Sequence, residues 1–334
     1  MSWGGRSQVG NQQGMVLLIV LVSIALISSL IYSRVEGQRF QIYRVENELN
    51  LQQAQIMARS AIPEVLRVLN QPQEGGGSRV DSLEAAWAQP LEIPWDREQV
   101  VEVSIIDVSR WINLNSLMDS SGTLSTVTEQ RLQRLLEQQE LSIEAVEAVA
   151  DWIDADSERR GIHGAEKLEY QALGAAYVPT NGPLHTLHEL ALIKGWDEEM
   201  VSLIRPAITA NAHCTQAEIN INTAPPEALL ALSDEMNPVV VESILELRES
   251  SPFQSVDEMR TVVVESILEL RESSPFQSVD EMRSEFAELS AQSIPLTTES
   301  DCYNVKISAT AGKVRGVVKL AIKKNGNNRF VIVE

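Results

Sequence analysis

Basic residues are scarce in this chain. Its 334 residues hold 27 lysines and arginines against 47 aspartates and glutamates, a formal charge of −20. Such a surface opposes any partner whose affinity comes from neutralising phosphates, so bulk nucleic-acid binding is disfavoured. Cysteine is nearly absent as well. Cys214 and Cys302 are too few for a disulfide-rich scaffold, although they suffice for one bridge in an oxidising compartment. No serine–histidine–aspartate or cysteine–histidine arrangement stands out and no phosphate-cradling glycine loop is present, so no catalytic site is expected. Of the four histidines, His185 and His188 lie beside Glu189 but lack a third zinc ligand at suitable spacing, which favours a structural role. Apolar residues reach 44% and charged ones only 22%, which excludes global disorder. The length allows two domains, or one domain with a large insertion.

Charge is also missing from the amino terminus, where the first 33 residues contain only Arg6. Met15 to Tyr32 reads MVLLIVLVSIALISSLIY, about 27 Å as a helix and nearly enough to span a bilayer. No small-residue signal-peptidase site follows. Instead Ile42, Val45, Leu49 and Ile56 recur at helical spacing, so the apolar span runs on as an amphipathic stalk towards Pro63.

Beyond a glycine-rich loop at 71–78, QVVEVSIID (99–107) reads as a strand. From Val305 the sequence predicts roughly three antiparallel strands, the last two joined at Asn325-Gly326. The ~180 residues between these β regions are mainly helical in pattern, with a capping box at Thr126 and Glu129. This is a helical insertion in an α/β frame. Inside it VVVESILELRESSPFQSVDEMR stands twice without a change, at 239–260 and 262–283. Repeats of old standing diverge and come in several copies, so this pair points to recent duplication or a sequence-assembly error rather than a binding module.

Asp151, Asp154, Asp156 and Glu158 gather at a helix end, with Glu166 after a short loop. Hard oxygen donors at such spacing suit calcium, although position twelve counted from Asp154 is Ala165, which excludes an EF-hand. A solvated acidic helix end is the equal alternative on spacing alone. INTAPPEALLAL followed by SPFQSVDEM is similar to DNA-binding helix-hairpin-helix domains, but the turn LSDEMNP places Asp234 and Glu235 where phosphate-binding glycines belong. A shared scaffold without nucleic-acid binding is the better reading, and a membrane-tethered DNA-uptake protein is the competing one.

A polar leader ending in Gly14, then Met15 and an apolar segment entering a long helix, resembles the type IV pilin-like prepilins. Most of that class carry glutamate at the fifth mature position, where this chain has Ile19. That departure, the large insertion, the stretch from Asp151 to Trp196, and the pair INLNSL and ININTAPPEALLAL resemble the K-type minor pseudopilins of type II secretion. The resemblance implies an α+β pseudopilin fold, in which a long amino-terminal helix packs on a small antiparallel sheet. A large all-α insertion would contain helix-hairpin-helix/SAM-like elements. The expected division is leader 1–14, helix 15–70, first part of the body 71–115, insertion 116–298 and carboxyl-terminal strands 299–334.

It further implies prepilin-peptidase cleavage between Gly14 and Met15 with methylation of Met15, and a single-pass place in the bacterial inner membrane with the body in the periplasm. Calcium would sit in the helical domain. The expected partners are the I-type and J-type minor pseudopilins, other pseudopilins and the inner-membrane assembly platform. In that compartment Cys214 and Cys302 would form a bridge worth about 4 kcal/mol, the alternative being two separate buried thiols. A subunit without the glutamate at position 19 cannot neutralise a neighbour's amine, which implies a tip position that starts or caps assembly.

Overall fold

The computed structural model describes residues 9–71, 79–96, 99–119, 121–271, 295–327 and 329–333. Helix α1 (Val9–Ser60) runs unbroken through the apolar span. Proline lacks an N–H and its ring obstructs the preceding turn, so the helical hydrogen bonding is interrupted at Ala61 and resumes as α2 (Ile62–Leu69) with Pro63 in its first turn. The helix expected over 15–70 is interrupted only at Ala61, whose backbone angles stay in the helical region. Ala54, Met57, Ala58, Ala61, Val65 and Leu69 are buried against the sheet. The periodic residues Ile42, Val45, Leu49 and Ile56 all remain 59–64% exposed. Close approach explains the choice of face: a Cβ added at Gly316 on the sheet would lie 2.9 Å from Ala54, so small residues dock and the bulky stripe points away.

Strands β1 (Leu91–Pro94) and β2 (Val100–Asp107) follow, and β2 alternates exposed and buried residues along its length. The insertion then contributes β3 (Ile112–Asn113), α3 (Thr126–Gln138), α4 (Ala145–Ile153), α5 (Lys167–Ala172), α6 (Glu198–Ile204) and β4 (Ile208–Thr209). It continues with β5 (Ile219–Asn220), α7 (Pro226–Leu230), α8 (Pro238–Ser250), α9 (Val256–Arg271) and β6 (Leu296–Thr297). Strands β7 (Cys302–Ala311), β8 (Val314–Lys324) and β9 (Phe330–Val333) return to the body. One antiparallel sheet results, in the order β1-β2-β7-β8-β9. The strand at 99–107 and the three carboxyl-terminal strands are all present, and the Asn325 side chain accepts the Asn327 and Arg329 amides to fold the last hairpin. The short β1, ended by Pro94, is an addition. At α3 the cap is Ser125, one residue before the expected Thr126.

The insertion consists of two modules, each opened and closed by a two-residue parallel ladder, β3 with β4 and β5 with β6. Both open on Ile-Asn-x-Asn. In each, the first asparagine folds back on the second's amide, at 3.1 Å for Asn113–Asn115 and 3.0 Å for Asn220–Asn222. The second asparagine then bonds a distant backbone both ways: Asn115 at Leu184, Asn222 at Phe253. A side-chain amide that donates and accepts mimics a peptide group, so it can replace a missing strand neighbour. Ile112, Leu114 and Leu117 already belong to the helical core, so the packing of the insertion begins directly after β2.

Insertion and body meet in a buried polar joint. The Asp81 carboxylate accepts Arg79 Nε and Nη2 at 2.8 Å, Trp87 Nε1 at 2.9 Å and the Ser300 amide at 2.9 Å. Asn220 Nδ2 donates to the Asp81 carbonyl at 3.0 Å and to Ser300 Oγ at 2.7 Å. Asp107 at the end of β2 accepts Thr223 Oγ1 at 2.5 Å and the Ser109 amide at 2.7 Å. Burial pushes the Asp107 carboxyl up to about 6, against the pull of its hydrogen bonds.

In the duplicated region the first copy forms α8 and the start of α9, and it buries Val240, Val241, Ile244, Phe253 and Met259. Helix α9 crosses into the second copy, where Val263 is buried; the rest of that copy, 272–283, lies outside the described residues.

Two outcomes are expected. Removing residues 261–283 gives the same chain as removing 239–261, and Phe286 then takes the third place after Arg260 that Val263 holds; differential scanning calorimetry should find a melting temperature within a few degrees of the full chain. A loss of cooperative melting would refute this. Between pH ~4 and ~6 the folded chain holds a proton on Asp107 that the unfolded chain has released, so this group's contribution makes stability fall as pH rises through that window. The decline in melting temperature from pH 4 to 7 should shrink in Asp107→Asn; equal declines in both proteins would be the contrary result.

Candidate functional site

The acidic loop begins where α4 ends. Glu147, Asp151 and Asp154 follow at i, i+4 and i+7, on one face of that helix, and Asp154 is its last cap. The chain then loops through Asp156 to Glu166, which caps α5 by exchanging side-chain and backbone bonds with Glu169. Two glycines make the loop possible. Gly161 has φ +55° and packs against the Glu147 carboxylate, while a Cβ at Gly164 would collide with the Asp151 carboxylate and the Arg160 carbonyl. Lys194 Nζ holds the loop from outside, 3.1 Å from the Gly164 carbonyl.

Of the five acidic residues expected to act together, the structure gathers three. Single carboxylate oxygens of Asp154, Asp156 and Glu166 all lie within 4.8 Å of one another. Asp154 Oδ1 and Glu166 Oε1 are buried without a hydrogen-bond partner. Asp151 is fully buried, and its carboxylate is occupied by the Arg160 amide at 3.1 and 3.2 Å, so it orders the loop from below. Glu158 stands apart: it is exposed and meets the cluster through its backbone, whose amide donates to Asp156 Oδ1 at 2.7 Å. The spacing of carboxylates in sequence could not separate ligands from supports, because the loop's turn decides which oxygens converge.

Electrostatics describes the same site. Burial first, then the neighbouring carboxylates of Asp151 and Asp154, lift Glu166 to about 7. Burial likewise raises Asp151 to about 6 and shifts Asp154 upward. Arg160 Nη2, 3.6 Å from Asp154 Oδ2, is the one salt-bridge cation at these three carboxylates among the described residues. Orphaned buried oxygens within reach of each other are what a hard divalent cation would satisfy, so the donor set fits calcium.

The remaining candidates are dispersed. Gly14, Met15 and Ile19 lie exposed on α1, whose apolar window has a mean hydropathy of 2.8 and is wholly unburied, long and apolar enough to cross a membrane. Cys214 and Cys302 are joined, with Cα atoms 6.1 Å apart, beside the joint between body and insertion. In the helix-hairpin-helix turn Asp234 is exposed and paired with Arg134 Nε at 2.5 Å, so a carboxylate occupies the place where phosphate would approach. Glu189 accepts the His185 and Thr186 amides as a helix cap, which commits it to structure. The joint at Asp81, Asp107 and Asn220 had no signal beyond the Ile-Asn-x-Asn motif, since its members are scattered over more than 200 positions.

A family model described as type II secretion system (T2SS), protein K, matches residues 111–213, and a second of the same description matches 219–262. The first match spans the first module, the second begins where the second module opens, and it stops as the second repeat copy begins. Type II secretion system protein K of Pseudomonas aeruginosa is 30% identical over 254 residues, covering 73% of this chain and 75% of that protein. The protein of that name from Klebsiella pneumoniae is 27% identical over 257 residues, covering 74% and 78%. A chain from the crystal structure of the GspK–GspI–GspJ complex of the enterotoxigenic Escherichia coli type 2 secretion system superposes with a TM-score of 0.66 and 21% identity, over 87% of this chain and 98% of that one. That likeness extends the shared fold over the body as well as the insertion.

Relief of repulsion gives a test on the ion-free protein. Asp154→Asn is expected to raise the melting temperature of chelator-treated protein by about 2–4 °C, the effect of roughly 1 kcal/mol. Asp151→Asn should lower it, because that carboxylate accepts backbone amides. Destabilisation by Asp154→Asn would contradict the charge argument.

Proposed function

The chain belongs to the type II secretion system protein K family, and from that membership we propose that it is the minor pseudopilin that starts and caps the tip of the secretion pseudopilus, for export of folded proteins across the outer membrane. The observation that carries the tip assignment is Ile19. Prepilin peptidase would cut between Gly14 and Met15, leaving an amine, methylated, at Met15. In a stack of such helices each buried amine needs a carboxylate from a neighbour, and an uncompensated charge in lipid is costly. A subunit with Ile19 accepts support from below and offers none above. The bulk of the insertion supports the same reading, since ~180 residues attached to the body obstruct lateral packing in a shaft but not at its end.

The solved relative comes from a complex with I- and J-type proteins, and the corresponding minor pseudopilins are the partners proposed here, with the other pseudopilins and the inner-membrane assembly platform joining during assembly. The helix from Met15 anchors the chain in the inner membrane and the body lies in the periplasm, where Cys214 and Cys302 stay oxidised. No catalytic role and no nucleic-acid partner are proposed. Calcium is held by Asp154, Asp156 and Glu166, with Asp151 positioning the loop; the ion offsets the repulsion among these carboxylates and fixes the loop between α4 and α5.

Affinity capture of the full chain from detergent extracts of cells expressing the I- and J-type proteins is expected to retrieve both. Labelled copies should mark one end of isolated pseudopili; copies distributed along the shaft would rule out a cap. Calorimetric titration of chelator-stripped protein should detect calcium binding that Asp154→Asn with Glu166→Gln abolishes, and calcium at 100 times its dissociation constant should stabilise the chain by about 2.7 kcal/mol. An unchanged response in the double variant would remove these residues as ligands.

A further inference from the structure

On the face of the sheet turned away from α1, Lys306 of β7 stands directly opposite Lys319 of β8. Both are exposed. Like charges at opposed positions in a ladder cost stability, and no ion pair engages either lysine among the described residues. The nearest carboxylate along the neighbouring strand, Glu102, is already held by Arg315. These two lysines line a groove of about 480 Å³ between the sheet and the segment after β4. Its floor adds Ile106 and Val333, and its wall carries His185 and His213. Lys323 Nζ, bonded to the His213 carbonyl at 3.1 Å, brings a further cation to the rim. Among the described residues no aspartate or glutamate lines the groove, in a chain that holds 47 of them.

We infer that this groove receives a short extended segment of a partner polypeptide that alternates carboxylate and apolar side chains. Carboxylates would sit on Lys306 and Lys319 and offset their mutual repulsion, while apolar neighbours cover Ile106 and Val333. Extended polypeptide places alternate side chains on one face, which matches a floor where cation and hydrocarbon adjoin. A long polyanion is the wrong ligand, because beyond the groove it meets a protein of net charge −20. The docking surface is independent of the calcium loop and of the amino-terminal helix.

The test uses the full chain in detergent and a fluorescein-labelled nonapeptide of alternating glutamate and valine, read by anisotropy. Saturable binding is expected, weakening as salt rises from 50 to 500 mM. Lys306→Gln with Lys319→Gln should lower affinity at least tenfold without lowering the melting temperature, since it also removes the like-charge repulsion, and Lys306→Glu with Lys319→Glu should abolish binding. Lys313→Glu, in the turn outside the groove, should have little effect. The inference is overturned if the wild-type chain binds a glutamine–valine peptide equally well, if the paired glutamine variant keeps full affinity, or if Lys313→Glu weakens binding as much. Preference for phosphatidylglycerol vesicles over the peptide, lost in the same glutamine pair, would also overturn it in favour of a lipid surface.

Discussion

The structure depends on how a two-module helical insertion is fastened to a sheet that it interrupts. The insertion leaves at the end of β2 and returns at the start of β7, and these strands are neighbours, so its two ends are already close. Proximity of ends alone would leave a hinge. The polar joint removes that freedom, because Asp81, Asp107, Asn220, Thr223 and Ser300 satisfy one another where water is excluded. Partial satisfaction there would be costly, which makes the joint an all-or-none contact. The Cys214–Cys302 disulfide and the Val108–Cys302 backbone bond close the same seam from its other side.

The acidic loop follows a different logic. The joint is complete as it stands, whereas the loop holds buried oxygens that no described residue satisfies. Capping of α5 by Glu166, the glycine turns and Lys194 over the loop keep those oxygens together despite their repulsion. A cation bound there, as proposed, would relieve that repulsion, which would link ion binding to local order. The aromatic cluster of Trp152, Tyr170 and Tyr177 packs beneath it and supplies the rigid base.

Helix α1 divides its labour along its length. Ala54, Met57 and Ala58 near its carboxyl end seat on the sheet, whereas the apolar residues from Met15 to Leu49, and Ile56, face outward. A stripe such as Ile42, Val45 and Leu49 stays exposed among the described residues, as a helix that packs against other subunits, on the proposed function, would leave it. On the proposed cleavage after Gly14, the amine at Met15 and the absent carboxylate at Ile19 would set the direction in which subunits are added.

The frame was legible in the sequence because its signals are local. An uncharged apolar run makes a helix wherever it lies, alternation over 99–107 makes a half-buried strand, and Asn325-Gly326 makes a hairpin. Gly14, Ile19 and the Ile-Asn-x-Asn pair carried the family resemblance for the same reason. Three things were decided only by tertiary contact. Which face of α1 docks was set by how closely Gly316 lets a helix approach, and the hydrophobic period pointed to the opposite face. Which carboxylates converge was set by the turn through Gly161 and Gly164, which brings Glu166 to Asp154 and turns Glu158 away. The joint between body and insertion, like the pairing of Lys306 with Lys319, exists only in register. Sequence specifies each segment's conformation through its own backbone and side chains, but the energy of a buried charge depends on neighbours that arrive from remote parts of the chain.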